Sequence, residues 1–352
     1  MTTKSKKDKM RERFEFIKEE LNNPVKKAVR AQKISNFATS ILRAVIIFGL
    51  AFVILFPIVQ QLAIAIRNPI DINNPLVQWI PEHPDIVNFK IAGTILDYWR
   101  SLFNNIKVSA ICTILQVACT SLAGYAFARL RFKGSEFLFL CVLLTLIVPP
   151  QAVSLSRMLF FENFDLFGIF KLLNIPAIRM TGVGKDYVLY ITSATGQGIR
   201  AAIFVYIFRQ FFRGIPIELE ESAQIDGAGI IRTFWSVMLP NARGAIITCS
   251  LFAFVWQWND VYYTQLYKLS GEAFPMMSAR LVNSAETVWT LMTQVQFSHL
   301  KELVGDEVNK NPLFSQTVVN TASLMMMLPL LIAYLFVQRL FIEGVERSGI
   351  VG

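Results

Sequence analysis

Residues Ile215 to Pro240 read IPIELEESAQIDGAGIIRTFWSVMLP, and they decide how the rest of the chain is interpreted. The run is amphipathic and charged, whereas long apolar stretches lie on both sides of it. Residues 218–225 have the composition and periodicity of a short helix. The residues that share one face of this helix at helical spacing are Leu219, Ser222, Ala223 and Asp226.

A tight turn and a second helix are expected after this first helix. The run Asp226-Gly227-Ala228-Gly229 breaks the pattern, because glycine allows positive φ and a close approach of two backbones. A helical pattern resumes at Ile230, and Pro240 limits it on the far side. The sequence therefore predicts a helix-turn-helix loop between two apolar spans.

The loop resembles the "EAA" loop of importer-type ABC permeases. The matching residues are Glu221-Ser222-Ala223, then Asp226-Gly227-Ala228, then Leu239-Pro240, and the preceding run FFRGIP, residues 211–216, is similar to that of carbohydrate permeases. The resemblance implies that the loop docks into a cleft on an ATPase subunit, with Glu221 making a charged contact and Gly227 permitting the turn. The ATPase-coupling residues it implies are Glu221, Ala223, Asp226, Gly227, Ala228 and Pro240. An ordinary amphipathic loop between spans is the alternative.

Composition points to a membrane protein that crosses the bilayer several times. The chain has 352 residues, of which 54% are hydrophobic, and the apolar residues occur in long blocks. The net charge of +9 lies mostly in the N-terminal tail and in short loops, so it indicates contact with membrane lipid and not with nucleic acid. We expect neither a metal nor another cofactor, because the four cysteines lie inside apolar spans and the two histidines are isolated.

Six transmembrane helices are predicted, which makes the fold an all-α membrane protein of the type I ABC importer permease kind. The short inner segments are rich in lysine and arginine, which places both termini and the helix-turn-helix loop in the cytoplasm. The predicted spans are residues 44–66, 105–128, 137–158, 187–208, 243–263 and 313–338.

The predicted organisation has three parts. Residues 1–43 form a basic cytoplasmic tail, which is either a helix lying on the inner leaflet or a solvated segment. Residues 44–342 form the transmembrane permease domain, which contains the coupling loop, 210–242, and a long outer loop, 264–312. Residues 343–352 form a cytoplasmic C-terminal tail.

Two predicted spans contain residues that the bilayer does not readily accept. Pro149 and Pro150 remove two backbone donors, so the third span must bend, either as a packing kink or beside a water-filled path. Arg200 in the fourth span raises the free energy of membrane insertion unless its charge is paired, hydrated or extended to the membrane surface. Structural pairing or snorkelling, and a place in the translocation pathway, both remain open for Arg200.

The fifth span carries the run Trp256-Gln257-Trp258-Asn259-Asp260 near its outer end. Aromatic rings cover the C–H face of a sugar, and neighbouring polar groups bind its hydroxyls. The Trp-Asn-Asp run also resembles a signature of carbohydrate permeases, although an interfacial aromatic belt explains it as well. The candidate residues of the substrate pathway are Trp256, Trp258, Asn259, Asp260 and Arg200.

The resemblance covers most of residues 100–345 and implies a function. The chain would form half of the pathway for import of a sugar or oligosaccharide, and a separate ATPase subunit would hydrolyse ATP. Its implied partners are a second homologous permease, an ATPase dimer and an extracytoplasmic solute-binding protein, and its implied location is the cell membrane. The chain itself carries no phosphate-binding glycine loop and no catalytic triad, so it is not expected to be an enzyme.

Three alternatives remain at this point. An ABC permease for a peptide, amino acid or polyamine would share the loop. A secondary transporter or channel would need carboxylates within the membrane or matched broken helices, and Asp260 is the one candidate carboxylate. A membrane scaffold or receptor would leave Glu221 and Gly227 freely replaceable.

Overall fold

The computed structural model describes residues 24–73, 80–165, 168–293 and 312–349, and these residues are mainly helical. Among them the only extended pairings are two isolated bridges, and there is no strand. The helices are α1 Pro24–Ala65, α2 Val87–Leu96, α3 Tyr98–Arg129, α4 Ser135–Leu144, α5 Ser154–Glu162, α6 Ile169–Leu172, α7 Tyr187–Ala194, α8 Ala201–Gly214, α9 Ile217–Ile225, α10 Ile230–Thr233, α11 Leu239–Asn241, α12 Arg243–Trp258, α13 Tyr262–Leu266, α14 Met277–Val282, α15 Ser284–Thr293 and α16 Pro312–Gly349.

The chain divides into two units, Met1–Gln61 and Leu62–Gly352. The described part of the first unit, residues 24–61, lies in helix α1, which begins about twenty residues before the first predicted span and ends at Ala65. Residues 24–43 of the predicted basic tail are thus helical, and residues 1–23 lie outside the described residues. The apolar side chains from Val45 to Leu55 are exposed, which suits contact with lipid, whereas Ala63 and Ala65 are buried.

Helix α3 is the centre of the second unit. It packs most extensively against α8, α12 and α7, while α16 packs against α12 and α2. Polar and small side chains on the buried side of α3, which include Ser109, Thr113 and Thr120, allow close approach of neighbouring helices without a large apolar interface. At Gly124 the approach is closest, since a Cβ there would lie 2.5 Å from the Cβ of Phe208 in α8.

The predicted third, fourth and fifth spans are not continuous helices. The chain breaks at residues 145–153, which include a 3₁₀ turn at Pro150–Val153, and again at 195–200 and 259–261. The prediction of a bend at Pro149-Pro150 understated this effect, since α4 already ends at Leu144, before the two prolines. The prediction that Arg200 lies within a helix is wrong, since this residue has a φ of 52° and precedes α8.

The number of continuous membrane-crossing helices is therefore lower than predicted. Within the described residues, Ser35–Ala65, Tyr98–Arg129 and Pro312–Arg339 are long and apolar enough to cross a bilayer. A fourth candidate arises if Ile230–Asn241 and Arg243–Trp258 count as one span, although the two parts meet at 81°. These findings describe a helical protein with several apolar spans.

The predicted outer loop, 264–312, belongs partly to the core. Tyr267 and Leu269 pack with the α3 residue Cys112 in one apolar cluster, and Met277 packs with Trp258 in another. The prediction of an outer loop did not include this packing, because buried apolar residues alternate with polar ones over short stretches of the segment. Residues 294–311 of the predicted loop lie outside the described residues, and the backbone of α16 is helical through to Gly349, inside the predicted C-terminal tail.

Candidate functional site

The helix-turn-helix loop is present as predicted, with α9 as its first helix and α10–α11 as its second. Helix α9 ends in a Schellman motif: the N–H of Ala228 donates to the carbonyl of Ala223 at 2.9 Å, and that of Gly227 donates to Gln224 at 3.0 Å. Gly227 is the left-handed residue of this motif, with a φ of 79°. Ala223 and Ala228 thus contribute backbone groups to the turn that Gly227 makes.

The second helix of the loop is irregular before it reaches α12. A π-helical turn, Phe234–Met238, separates α10 from α11, and Pro240 lies in α11. Proline cannot donate to the carbonyl four residues earlier, and a widened turn accommodates that loss. Pro240 thus does not end the helix itself, and the chain turns by 81° between Asn241 and Arg243.

A buried carboxylate fixes the first helix of the loop to the end of α3. Glu220 is 6% exposed, and the Tyr125 hydroxyl donates a hydrogen bond to its Oε1 at 2.9 Å. The guanidinium of Arg129, one turn further along α3, lies 3.6 Å from Oε2 and also donates to the carbonyl of Ile215. We call Tyr125, Arg129 and Glu220 the Glu220 anchor.

The four residues that share one face of α9 at helical spacing differ in burial. Ala223 is buried, but Leu219, Ser222 and Asp226 are exposed, and the second inward residue is Glu220. Sequence periodicity could not identify a buried glutamate, because its partners lie 95 and 91 positions earlier in the chain. The signal available was the pair Tyr125 and Arg129, which lie four residues apart at the end of an apolar helix.

The opposite side of the loop is exposed and apolar, with a charged rim. Ile225 and Ile231 are 86% and 75% exposed, and Glu218 and Glu221 lie exposed on α9 beside them. Such a patch on a firmly anchored loop is typical of a surface that binds another protein. The loop patch consists of Leu219, Ile225, Ile230, Ile231 and Trp235.

The three helix breaks meet at one place, which we call the break junction. The Tyr262 hydroxyl donates to the carbonyl of Pro150 at 3.1 Å, which joins the start of α13, directly after the third break, to the first break. Arg157 donates to the carbonyl of Gln197 at 2.9 Å, which joins the segment after the first break to the second. The Arg157 guanidinium also lies 5.0 Å from the centre of the Tyr263 ring. Irregular backbone in a membrane protein is stable where it is buried in protein or lines a polar cavity.

Two of the predicted pathway residues come together at the second break. The Arg200 guanidinium lies over the Trp256 ring, 4.8 Å from its centre. Trp256 in turn stacks on Phe204 and Phe252, with ring centres 5.3 and 5.6 Å apart. The stack fixes Arg200 at an aromatic surface while its edge remains exposed.

The other predicted pathway residues hold the third break in shape. The buried Trp258 indole donates to the Met326 carbonyl of α16 at 3.2 Å. Both carboxylate oxygens of the buried Asp260 accept hydrogen bonds at the start of α13, from the N–H of Tyr263 and from the N–H and hydroxyl of Thr264. Asn259 is exposed, and its amide donates to the Val255 carbonyl at 2.9 Å.

A separate polar cluster lies in the predicted outer loop after α1. The His83 Nδ1 lies 3.1 Å from Asp71 Oδ1, and the His83 N–H donates to Asp71 Oδ2 at 2.9 Å. This hydrogen bond raises the pKa of His83 and lowers the pKa of Asp71. A carboxylate oxygen of Glu82 lies within 4.8 Å of the ligand atoms of Asp71 and His83. All three side chains are of kinds that bind metals, but Asp71 is already in contact with His83.

Comparison with known families gives one extended match. Residues 116–347 match the family described as binding-protein-dependent transport system inner membrane component. The match begins within α3 and ends within α16, so it includes the helix-turn-helix loop and the break junction.

Two relatives and one solved structure agree with this match. The alpha-glucoside transport system permease protein AglG of Rhizobium meliloti is 30% identical over 56% of this chain and 49% of AglG, so the match spans about half of that relative. The arabinooligosaccharides transport system permease protein AraQ of Halalkalibacterium halodurans is 24% identical over 86% of this chain and 93% of AraQ. A chain from the crystal structure of a bacterial ABC transporter involved in the import of the acidic polysaccharide alginate has the same fold, with a TM-score of 0.64, 20% identity, and coverage of 87% of this chain and 98% of that one.

Proposed function

Because the chain belongs to the family of binding-protein-dependent transport system inner membrane components, we propose that it is the sugar permease subunit of an ABC importer. In this proposal it forms half of the translocation pathway for a sugar or oligosaccharide. The relatives that transport alpha-glucosides and arabinooligosaccharides support the substrate class. The energy comes from ATP hydrolysis in a separate ATPase subunit, and this chain carries out no chemical step.

The helix-turn-helix loop carries the proposal. Its inner side is held by the Glu220 anchor, and its outer side presents the loop patch with Glu221 at the rim. A loop that is fixed to α3 on one side and binds an ATPase on the other can transmit movement between them, because a rigid connection loses little motion. Ala223, Asp226, Gly227 and Ala228 shape this loop, and Pro240 lies where it turns into α12.

The topology follows from the same proposal. The interrupted segments 135–162, 187–214 and 243–266 complete six membrane crossings together with α1, α3 and α16. Both termini and the loop face the cytoplasm of a cell whose membrane holds the complex. The partners are a second homologous permease, two ATPase subunits and an extracytoplasmic solute-binding protein, and the substrate pathway lies at the break junction beside Trp256 and Arg200.

One pair of matched variants tests the loop as the ATPase contact. The tagged chain is purified in mild detergent, and the subunits that accompany it are identified by mass spectrometry. Ile231→Asp buries a charge in the proposed contact, so it should remove the ATPase and leave the second permease bound. Ile80→Asp makes the same change at a residue that is 83% exposed in the predicted outer loop, and should retain both. Recovery of the full complex with Ile231→Asp would refute the assignment of this loop.

A further inference from the structure

An open cavity beside the helix-turn-helix loop is lined mainly by basic side chains. It has a volume of about 630 Å³ and lies where the end of α3, the turn into α4, the end of α8 and the first residue of α9 meet. Four of the described residues that line it are basic and one, Glu136, is acidic. We call this cavity the basic pocket, and its basic residues are Arg129, Arg131, Lys133 and Arg213.

Two of the four basic residues already have carboxylate partners. Arg129 belongs to the Glu220 anchor. Arg213 donates to Glu136 Oε1 at 3.0 Å, and the buried Arg209 donates to the same oxygen. The single carboxylate that lines the basic pocket is therefore shared between two guanidiniums.

Arg131 and Lys133 have no such partner. Both are exposed, and neither side chain forms an ion pair, a hydrogen bond or a ring contact with any residue that the structure describes. The nearest glutamate of α9 along the chain, Glu218, is exposed and does not line the pocket. The basic pocket therefore has an excess of positive charge with two cations free to bind an anion.

An exposed apolar surface begins where the basic pocket ends. Glu136 lies one helical turn before Leu140, and Leu140 lies one turn before Leu144, so this stripe of α4 starts at the pocket. Phe137, Leu140 and Leu144 are 68%, 52% and 48% exposed, and Phe139 is the one buried residue of the helix. From residue 137 to 144 the helix rises about 10 Å, which is most of the ~15 Å of hydrocarbon in one leaflet.

A cationic pocket next to an apolar helix face matches a phospholipid with an acidic headgroup. The phosphate supplies the negative charge that Arg131 and Lys133 lack, and the acyl chains cover the apolar face of α4. Free phosphate would use the cations only, and an acidic protein segment would leave the apolar face uncovered. Basic pockets at the cytoplasmic ends of membrane helices bind acidic headgroups in this way.

We infer that the basic pocket binds the phosphate headgroup of an acidic phospholipid, with Arg131 and Lys133 as its free cations and the acyl chains along α4. This inference rests on the proposed function in one respect, since the proposed topology places the pocket at the inner leaflet. The lipid would contact the end of α3 and the start of α9, beside the loop that binds the ATPase.

The test is photolabelling of the complex in lipid nanodiscs. The tagged chain is purified in mild detergent with the subunits that accompany it, and is placed in phosphatidylcholine nanodiscs. A trace of phosphatidylglycerol carries a diazirine on one acyl chain, and the labelled peptides are quantified by mass spectrometry after illumination. We expect the label on residues 135–144, and much less label there from phosphatidylcholine that carries the same diazirine.

Three double variants link the labelling to the pocket. Each cation near an acidic lipid strengthens binding about fivefold, so Arg131→Gln with Lys133→Gln should reduce labelling of α4 about thirtyfold. Arg131→Lys with Lys133→Arg keeps both charges and should retain most of the label. Arg232→Gln with Arg243→Gln is the control, because both arginines are exposed, lie in or directly after the helix-turn-helix loop, and do not line the pocket. Labelling of α4 should not change in this control.

The contrary outcomes identify what is wrong. Equal labelling by the two lipids, or equal labelling of the wild type and the Arg131→Gln, Lys133→Gln variant, would overturn the inference. Loss of the label in excess inorganic phosphate at constant ionic strength would show a site for free phosphate. Labelling of α4 only after the accompanying subunits are removed would show that protein covers the pocket, which also overturns the inference.

Failure of the proposed function would look different. Purification of the chain without an ATPase would contradict the proposed function. The labelling would still decide the lipid site, because the probe is present in both leaflets and its binding requires no transport.

Discussion

The Glu220 anchor gives a quantitative prediction, because one hydroxyl can be removed from it with little change in shape. Tyr125→Phe deletes the donor to Glu220 Oε1 and leaves the ring in contact with Phe212 and Phe234, whose ring centres lie 5.8 and 5.3 Å away. A hydrogen bond to a charged group contributes about 1.5–3 kcal/mol. We therefore expect α9 to open from α3 more readily by that amount.

Native-state hydrogen exchange measures this opening directly. A loss of about 1.5–3 kcal/mol in the opening free energy speeds exchange about tenfold to a hundredfold, and the effect should be confined to the amides of residues 217–228. Amides in the middle of α3 should not change, because their hydrogen bonds do not depend on the anchor. Tyr206→Phe is the matched control, since the Tyr206 hydroxyl is exposed and bonds only to Gln210 among its described contacts.

The same variants connect the anchor to function. If the loop transmits motion from the ATPase, Tyr125→Phe should reduce sugar transported per ATP hydrolysed while the complex remains assembled. Unchanged exchange of the α9 amides in Tyr125→Phe would refute the anchor. Faster exchange with an unchanged ratio of transport to hydrolysis would show that the anchor is structural and that motion is transmitted elsewhere.

Three further predictions concern the turn, the helix crossing and the outer loop. Gly227→Ala places a side chain at a φ of 79°, which costs about 1–2 kcal/mol, so this variant should transport less sugar per ATP hydrolysed. Gly227→Asn should lower this ratio less, because asparagine tolerates positive φ better than alanine does. An equal ratio in the wild type and both variants would contradict the role given to the turn at Gly227. Gly124→Val should prevent α3 and α8 from packing, so monodisperse protein should not be recovered by size-exclusion chromatography. Gly93→Ala is the control and should be recovered normally, because its Cβ would lie an ordinary 3.6 Å from Met325. Asp71 stabilises the outer loop above its ordinary pKa of 3.8 and loses this effect as the pH falls through its lowered pKa. His83 stabilises the loop below 6.5 and loses the effect as the pH rises through its raised pKa. Exchange protection of residues 67–73 and 80–86 should therefore be highest at about pH 4–6.5, and His83→Gln should abolish the decline above that range, because the backbone N–H that donates to Asp71 remains.

Sequence reasoning identified the features that depend on local pattern. The long apolar runs of α1, α3 and α16 are predicted to lie in the bilayer from their hydropathy alone. They are helices because a chain in a bilayer must satisfy its own backbone hydrogen bonds. The turn at Gly227 followed from glycine itself. The sequence places both Trp256 and Arg200 among the candidate pathway residues, and in the structure these two side chains stack on each other.

The features that sequence reasoning missed depend on distant partners. Hydropathy predicts a continuous helix across residues 195–200, where the structure has a break. Gln116 of α3 stabilises this break, since its amide donates to the Ile199 carbonyl at 2.8 Å. No local pattern singles out Glu220, since its partners Tyr125 and Arg129 are far away in sequence. Asp260 stays a candidate pathway carboxylate, and the sequence did not predict that its oxygens also accept the hydrogen bonds that begin α13. At the break and at Glu220, tertiary contacts outweigh the local pattern.

The most direct test of the account is ATP-driven uptake by the purified complex. Liposomes contain this chain with the subunits that copurify with it, and the binding protein and a labelled saccharide panel are added outside. We expect accumulation of a saccharide only when ATP is enclosed with the ATPase and the binding protein is present. Accumulation driven by a proton or sodium gradient, with the ATPase removed, would contradict it.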